Sequence, residues 1–259
     1  ARRGLTGRRP PCARPRLFHV SPLPPVRSGI ADYSARLLRD LATHYEIEVV
    51  IDQPELSDPW VSANFPVRSL QWFEKHARPD DRVLYHFGNS PFHAHMFGLL
   101  KQFPGVVVLH DSWLGAARNW MAQDAGDPVA FLPVLYNSHG YAALLHDLRH
   151  RRASTLDAWP VNRDVIEAAL GVIVHSHYAV RQARLHFGAA AAGKFTVVPF
   201  LKQRTHGDRR LARRLLGMES GDFVVCSFGM LAPTKLNHRL LAAWLQSSLA
   251  ADEYCRLVF

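Results

Sequence analysis

Pro22–Ile51, PLPPVRSGIADYSARLLRDLATHYEIEVVI, is the stretch whose reading decides the fold. Arg16–Val20 before it is a short apolar strand, and Pro22, Pro24 and Pro25 end it, because none of them has the N–H a sheet ladder needs. Ser28 then caps a helix whose apolar positions Ile30, Tyr33, Leu37, Leu38 and Leu41 recur at helical spacing. Glu46–Ile51 is a β-branched strand. Strand, loop, helix and strand in this order make a βαβ unit, and a right-handed crossover sets the two strands parallel. Gly29 at the helix start allows a close backbone approach to a ligand that the helix dipole favours as anionic or sugar-like.

Working outward, the chain of 259 residues is long enough for one large domain or up to two Rossmann-like ones, and its 48% apolar and 20% charged residues suffice for a buried core. The net charge of +9 is concentrated at the start, where Arg2, Arg3, Arg8, Arg9, Arg14 and Arg16 occur without an acid among them. A nucleic-acid partner is therefore not expected. Residues 1–15, rich in Pro and Arg, read most simply as a disordered leader or linker; a peripheral tether to a membrane surface or polyanion is the sharper alternative. No apolar run reaches the roughly 18 residues that a membrane-spanning helix needs. Cys12, Cys226 and Cys255 are odd in number. The last two fall in or beside expected buried strands and read as reduced thiols, which points to a cytoplasmic protein. With Ala first and Phe259 inside an apolar strand, the sequence looks cut at both ends.

Beyond Ile51, residues 52–66 read as a loop, 67–68 as a short strand and 70–76 as a helix capped by Ser69. A strand is expected over 82–87, a helix over 92–102 behind Pro91, and a buried parallel strand over 106–109. Residues 113–152 read as mostly helical with breaks near 126–128 and 137–140. Another strand falls at 172–174, a helix over 178–187 is closed by Gly188, and 195–198 is a strand. The expected organisation is a Rossmann-like domain over 16–201, a basic linker over 202–220 and the start of a second Rossmann-like domain over 221–259.

Several chemistries are excluded by what is missing: G-x-G-x-x-G, a Walker A loop, H-E-x-x-H, paired C-x-x-C and G-x-S-x-G are all absent. What remains is a coincidence of strand ends. Ser28-Gly29, Gly88-Asn89, His110-Asp111 and His175-Ser176 all fall where parallel strands finish, and the carboxyl edge of such a sheet is where polar organic ligands bind.

At this point SPLPPVRSGIADYSARLLRDL, HFGNSPFHAHMFGLL, VVVLHD, GVIVHSHYAV and SFGMLAPTKLNHRLLAAWL together resemble the retaining glycosyltransferases of family 4, the group-1 type, over 16–259. The resemblance implies an α/β GT-B fold: two facing Rossmann-like domains, the nucleotide-sugar donor mainly on the second and the acceptor mainly on the first, with the second truncated here. It implies that Ser28 and Gly29 face the donor, that His110 hydrogen-bonds the transferred sugar and that Gly229 and Lys235 receive the donor diphosphate. Asn89, His93 and Ser176 would line the acceptor cleft. Asp111 is the one carboxylate on the rim that a double displacement could use, although departure and attack on the same face of the sugar fits better with the absence of a carboxylate pair. No cofactor or metal is implied beyond the nucleoside-diphosphate sugar as co-substrate, and the acceptor would be a glycan or a lipid-linked sugar. The family usually places an arginine soon after the glycine of the second-domain loop; here Met230 follows Gly229. The family's glutamate pair would lie beyond Phe259, so this fragment is expected not to turn over alone. The competing expectation is a non-catalytic GT-B-like module that binds a glycan or a protein.

Overall fold

The computed structural model describes residues 14–78, 80–202, 207–229, 231–232 and 235–259. Residues 1–13 of the basic arm, with Cys12, and the departure at Met230 thus lie outside the described residues. The chain divides into two compact units, one ending at Leu201 and the other running Lys202–Phe259.

In the first unit, β1 (Arg16–Val20), β2 (Glu46–Ile51), β3 (Val67–Ser69), β4 (Arg82–Phe87), β5 (Val106–Leu109), β6 (Gly171–Val174) and β7 (Phe195–Val197) form one sheet in the order β3-β2-β1-β4-β5-β6-β7. Every neighbouring pair is parallel. The chain winds outward from β1 to β3, then returns to β4 on the other side of β1 and continues to β7. That reversal makes a topological switch point between β1 and β4, where the connections leave in opposite directions and open a crevice at the strands' carboxyl ends.

The helices of this unit are α1 (Gly29–Leu41), α2 (Pro59–Asn64), α3 (Leu70–His76), α4 (Met96–Gln102), α5 (Gly115–Asp124), α6 (Phe131–His139), α7 (Tyr141–Arg149), α8 (Arg152–Ala158), α9 (Arg163–Ala168) and α10 (His177–Ala192). The first begins as its sequence dictates: Ser28 Oγ accepts the Ile30 N–H at 3.2 Å, and Ala31, Tyr33, Ser34, Ala35 and Leu38 make the buried stripe. Ser69 caps α3 in the same way through Trp72 N–H. Residues 52–66 are not all loop, however. Asp58 accepts from the N–H groups of Trp60 and Val61, and Pro59 takes the first helical position of α2. Residues 92–102 do not form one helix either: a 3₁₀ turn over Pro91–His93 precedes α4. Gly188, with φ of 87°, breaks α10 where a helix end is expected, and a further turn follows it.

Period-two alternation distributes the strands' side chains between two layers. Phe18 and Val20 join Phe73, Tyr85, Phe87, Val107 and Leu109 on one face, with Met96, Phe97 and Leu100 of α4 packed on them. Leu17 faces the other way, with Ala35 and Leu38 of α1 and with Ile47, Val49 and Ile51. Fully burying a side chain such as Leu38 contributes roughly 1.5–3 kcal/mol, so α1 is held against the sheet by its apolar stripe rather than by its cap alone.

The second unit contains α11 (Arg209–Leu215), β8 (Phe223–Cys226), α12 (Asn237–Leu245) and β9 (Cys255–Val258), with β8 and β9 parallel. Within the expected linker α11 forms where the sequence places a short helix, over 211–216, and begins two residues earlier. Buried Asp222 accepts from Arg256 Nε at 2.8 Å and from the Glu219 N–H at 3.1 Å, and the Arg256 guanidinium holds the Asp222 carboxyl below its usual range. The expectation of buried strand cysteines is corrected: Cys226 is an exposed free thiol and Cys255 a half-buried one, because among the described residues β8 pairs only with β9.

Candidate active site

The register that builds the sheet also collects histidines. His19 lies opposite Leu84 across the β1–β4 pair, so it shares a face with Leu84 and with His86 two residues on. Across the next pair His86 lies opposite Val108, which puts His110 on that face, and Val108 lies opposite Ile173, which adds His175. Four adjacent strands thus end in one file of imidazoles, all on the side covered by α1. Ring centroids are 4.6 Å apart for His19 and His86, 5.3 Å for His86 and His110, and 5.1 Å for His110 and His175.

Tyr33 of α1 lies over the file, its ring centred 4.9 Å from His110, 5.5 Å from His175 and 4.7 Å from Phe200. Burial raises the Tyr33 phenol, and a hydrogen bond with the Leu201 backbone offsets part of that. His19 and His86 are fully buried, whereas His110 and His175 are half-buried at the rim. Desolvation is the first cause that lowers three of the rings: His19 falls to about 4, His86 well below 6.5, and His110 to about 3 with His175 and His93 adding repulsion. Two hydrogen bonds order the rim. His86 Nδ1 and His110 Nε2 are 3.0 Å apart, and His175 Nδ1 donates to the Val198 carbonyl at 2.9 Å.

Of the residues singled out from the sequence, His110, Asp111, Asn89 and Ser28-Gly29 come to the same carboxyl edge. Asp111 and Asn89 form a strap there: the Asn89 N–H donates to Asp111 Oδ2 at 2.9 Å, while Asn89 Oδ1 accepts the Ala117 N–H at 3.0 Å and so caps the first turn of α5. One carboxylate oxygen of Asp111 is thereby committed to holding the loop after β4 against the loop after β5. His93 does not line an open cleft. It is fully buried, donates from Nδ1 to the His86 carbonyl at 2.9 Å and is pushed down to about 4 by desolvation. A Cβ built on Gly88 would stand 2.7 Å from His93 Nε2 and 2.3 Å from Ile30 Cδ1, so that glycine admits the ring beneath the rim. At Gly29, by contrast, an added Cβ meets nothing within 4 Å, and the space outside the start of α1 is open. Ser176 is exposed at the N-terminus of α10 and makes no capping bond.

In the second unit, Gly229 adopts φ of 129° just after β8, and Lys235 is exposed, its N–H donating to the Ala232 carbonyl at 2.9 Å. Asn237 braces this loop, accepting from the Ala232 N–H and donating to Ser227 Oγ, both at 3.3 Å.

His19, His86, Tyr33 and Asn237 are absent from the residues chosen by sequence. For the two histidines the signal is readable afterwards: LFHV and LYHF each carry a histidine near a strand's carboxyl end, as VLHD and VIVH do. Among the described residues no three His, Cys, Asp or Glu side chains are disposed to hold a metal ion, and no helix is long and apolar enough to cross a membrane. A groove of about 640 Å³ lies beside Arg16, Glu46, Trp60 and Phe65 at the amino edge of the sheet, away from this rim. The carboxyl edge is preferred as the site because strand polarity and the switch point both open it to ligands.

No family model and no curated protein matches the chain. Among solved structures it is similar to LpCGTa in complex with UDP, at 14% identity and a TM-score of 0.45 over 95% of this chain and 70% of that one. It is also similar to UGT2 of Phytolacca americana complexed with UDP-2fluoro-glucose and pterostilbene, at 11% identity and a TM-score of 0.43 over 83% and 60% of the two chains. The apo form of that UGT2 gives 10% identity and a TM-score of 0.44 over 90% and 62%. The chain thus spans 60–70% of the length of these proteins.

Proposed function

We propose that this chain belongs to a retaining glycosyltransferase of GT-B fold that moves a sugar from a nucleoside diphosphate to a glycan or lipid-linked acceptor. The observation that carries this reading is the file of imidazoles at the carboxyl edge, two of them half-buried at the rim beside the switch point. An uncharged imidazole offers one donor and one acceptor, the pair that sugar hydroxyls use, and desolvation keeps His110 in that form at neutral pH. The family resemblance assigns His110 to the transferred sugar and Lys235, with the Gly229 loop, to the diphosphate. The lysine charge would stabilise the leaving nucleoside diphosphate as the glycosidic bond opens, a role that calls for no metal. Asp111, strapped to Asn89, fits a positioning role better than that of a nucleophile. The acceptor hydroxyl would then attack on the face the diphosphate leaves, its proton passing to the departing phosphate oxygen.

Isothermal calorimetry of the full-length protein, with its second domain complete, against a panel of nucleoside diphosphates and their sugars tests this. One nucleotide should bind, Lys235→Ala should weaken both it and its sugar, and His110→Ala should weaken the sugar nucleotide alone. A folded protein that binds none of the panel would return the assignment to a non-catalytic module with a glycan or protein partner.

A further inference from the structure

The rim histidine is not free to choose which nitrogen carries its proton. His86 Nδ1 and His110 Nε2 are 3.0 Å apart, so one hydrogen lies between the two rings: one nitrogen donates it and the other accepts. The other nitrogen of His86, Nε2, is buried without a partner. If the His86 proton were there, the core would hold a second orphaned N–H beside that of His19, whose two ring nitrogens are both without a partner, and an orphaned N–H is the rarer and costlier of the two unsatisfied states. With the proton on Nδ1, the unpartnered atom is a bare lone pair. His93 has the same arrangement beneath it: its Nδ1 must donate to the His86 carbonyl, which can only accept, and its buried Nε2 is bare. That bond also holds the His86 backbone in place, and Gly88 makes room for it.

From this geometry we infer that His86 is a positioning residue: it donates from Nδ1 to His110 Nε2 and thereby fixes His110 as the tautomer protonated on Nδ1, with an N–H donor presented at the rim. Resting on the sugar-transfer reading, the consequence is that His110 donates a hydrogen bond to an oxygen of the sugar and does not act as a base. His19 and Tyr33 pack against the His86 ring, with centroids 4.6 Å and 6.0 Å away, yet His86 makes its one ring hydrogen bond among the described residues to His110. Desolvation and the neighbouring rings His19, His110, His93 and His175 all disfavour a charged His86, which keeps the relay uncharged.

The first test needs no variant. Two-bond 15N–1H correlation spectra of the protein labelled at histidine, without substrate, should show His110 protonated on Nδ1 and bare on Nε2. His110 protonated on Nε2 would overturn the inference whatever the protein binds. The second test is His86→Phe, which fills the space but removes the donor. Released from its partner, His110 should then populate the Nε2-protonated form. In calorimetry the variant should lose about tenfold in affinity for the sugar nucleotide, the worth of one net hydrogen bond, and keep its affinity for the nucleoside diphosphate alone. An unchanged His110 tautomer in a folded His86→Phe protein would also overturn it. Should the spectra show the Nδ1 form while no nucleotide sugar binds, the positioning stands and the transferase reading falls.

Discussion

At the scale of single residues, two glycines at the same sheet edge meet opposite constraints. Gly88 has Ile30 and His93 within 3 Å of where a Cβ would stand, whereas Gly29 has open space. Gly88→Ala must move the His93 ring or the α1 side chain, and overpacking of this kind costs about 1–3 kcal/mol. Urea unfolding of Gly88→Ala should therefore show a lower midpoint with an unchanged slope. Gly29→Ala should leave the midpoint unchanged or raised, because alanine is the better helix former. If a ligand uses the open space there, the same variant binds the nucleotide sugar more weakly; equal affinity in wild type and Gly29→Ala would remove Gly29 from the site. Histidine illustrates a different lesson at this scale. One strand-end histidine means little, but the register turns four of them into a single file.

At the scale of elements, helix ends decide how the rim is held. Asn89 caps α5 from a distant loop, through Ala117, and Asp111 in turn holds Asn89, so the two expected site residues serve the connection between β4 and β5. Helix α2 depends on a local cap, Asp58, which takes two otherwise free N–H groups. Asp58→Ala should cost about 1 kcal/mol, within the usual range for losing an N-cap. A melting temperature equal to wild type would show that packing of Val61 alone holds the helix. This helix was not legible because Asp, Pro and Ser suit both a loop and a helix start, and six residues are too few for a periodic apolar pattern to arbitrate. The caps at Ser28 and Ser69 were legible because an unmistakable amphipathic run follows the first and a strand signal precedes the second.

At the scale of the molecule, the buried histidines tie stability to pH. Burial pushes His19 and His93 from 6.5 to about 4 and His110 to about 3, so the unfolded chain binds protons in a range where the folded first unit does not. Stability of that unit is full above about pH 6.5 and falls as the pH drops toward 4, each such group contributing a slope of about 1.4 kcal/mol per pH unit. Asp222 in the second unit has the usual carboxylate sign: Arg256 lowers it, so its contribution persists above the ordinary carboxylate range and is lost only at more acid pH. Chemical unfolding of the wild type at pH 7.5, 6 and 5 should show progressive destabilisation, and His19→Leu should flatten it. A midpoint independent of pH across that interval would contradict uncharged His19, His93 and His110 in the folded unit.

Much of this molecule followed from local chemistry. The βαβ unit around Pro22–Ile51, the parallel class of the sheet, the capped helices and the gathering of polar residues at strand ends are all written in apolar period, proline position and cap residues, because these act within a few residues along the chain. The rim depended on contacts between residues far apart in the sequence. Which strand neighbours which, and in what register, aligns His19, His86, His110 and His175; close approach makes Gly88 necessary; and burial removes His93 from the cleft it was expected to line. Register and desolvation are properties of the assembled sheet, and no local pattern encodes them.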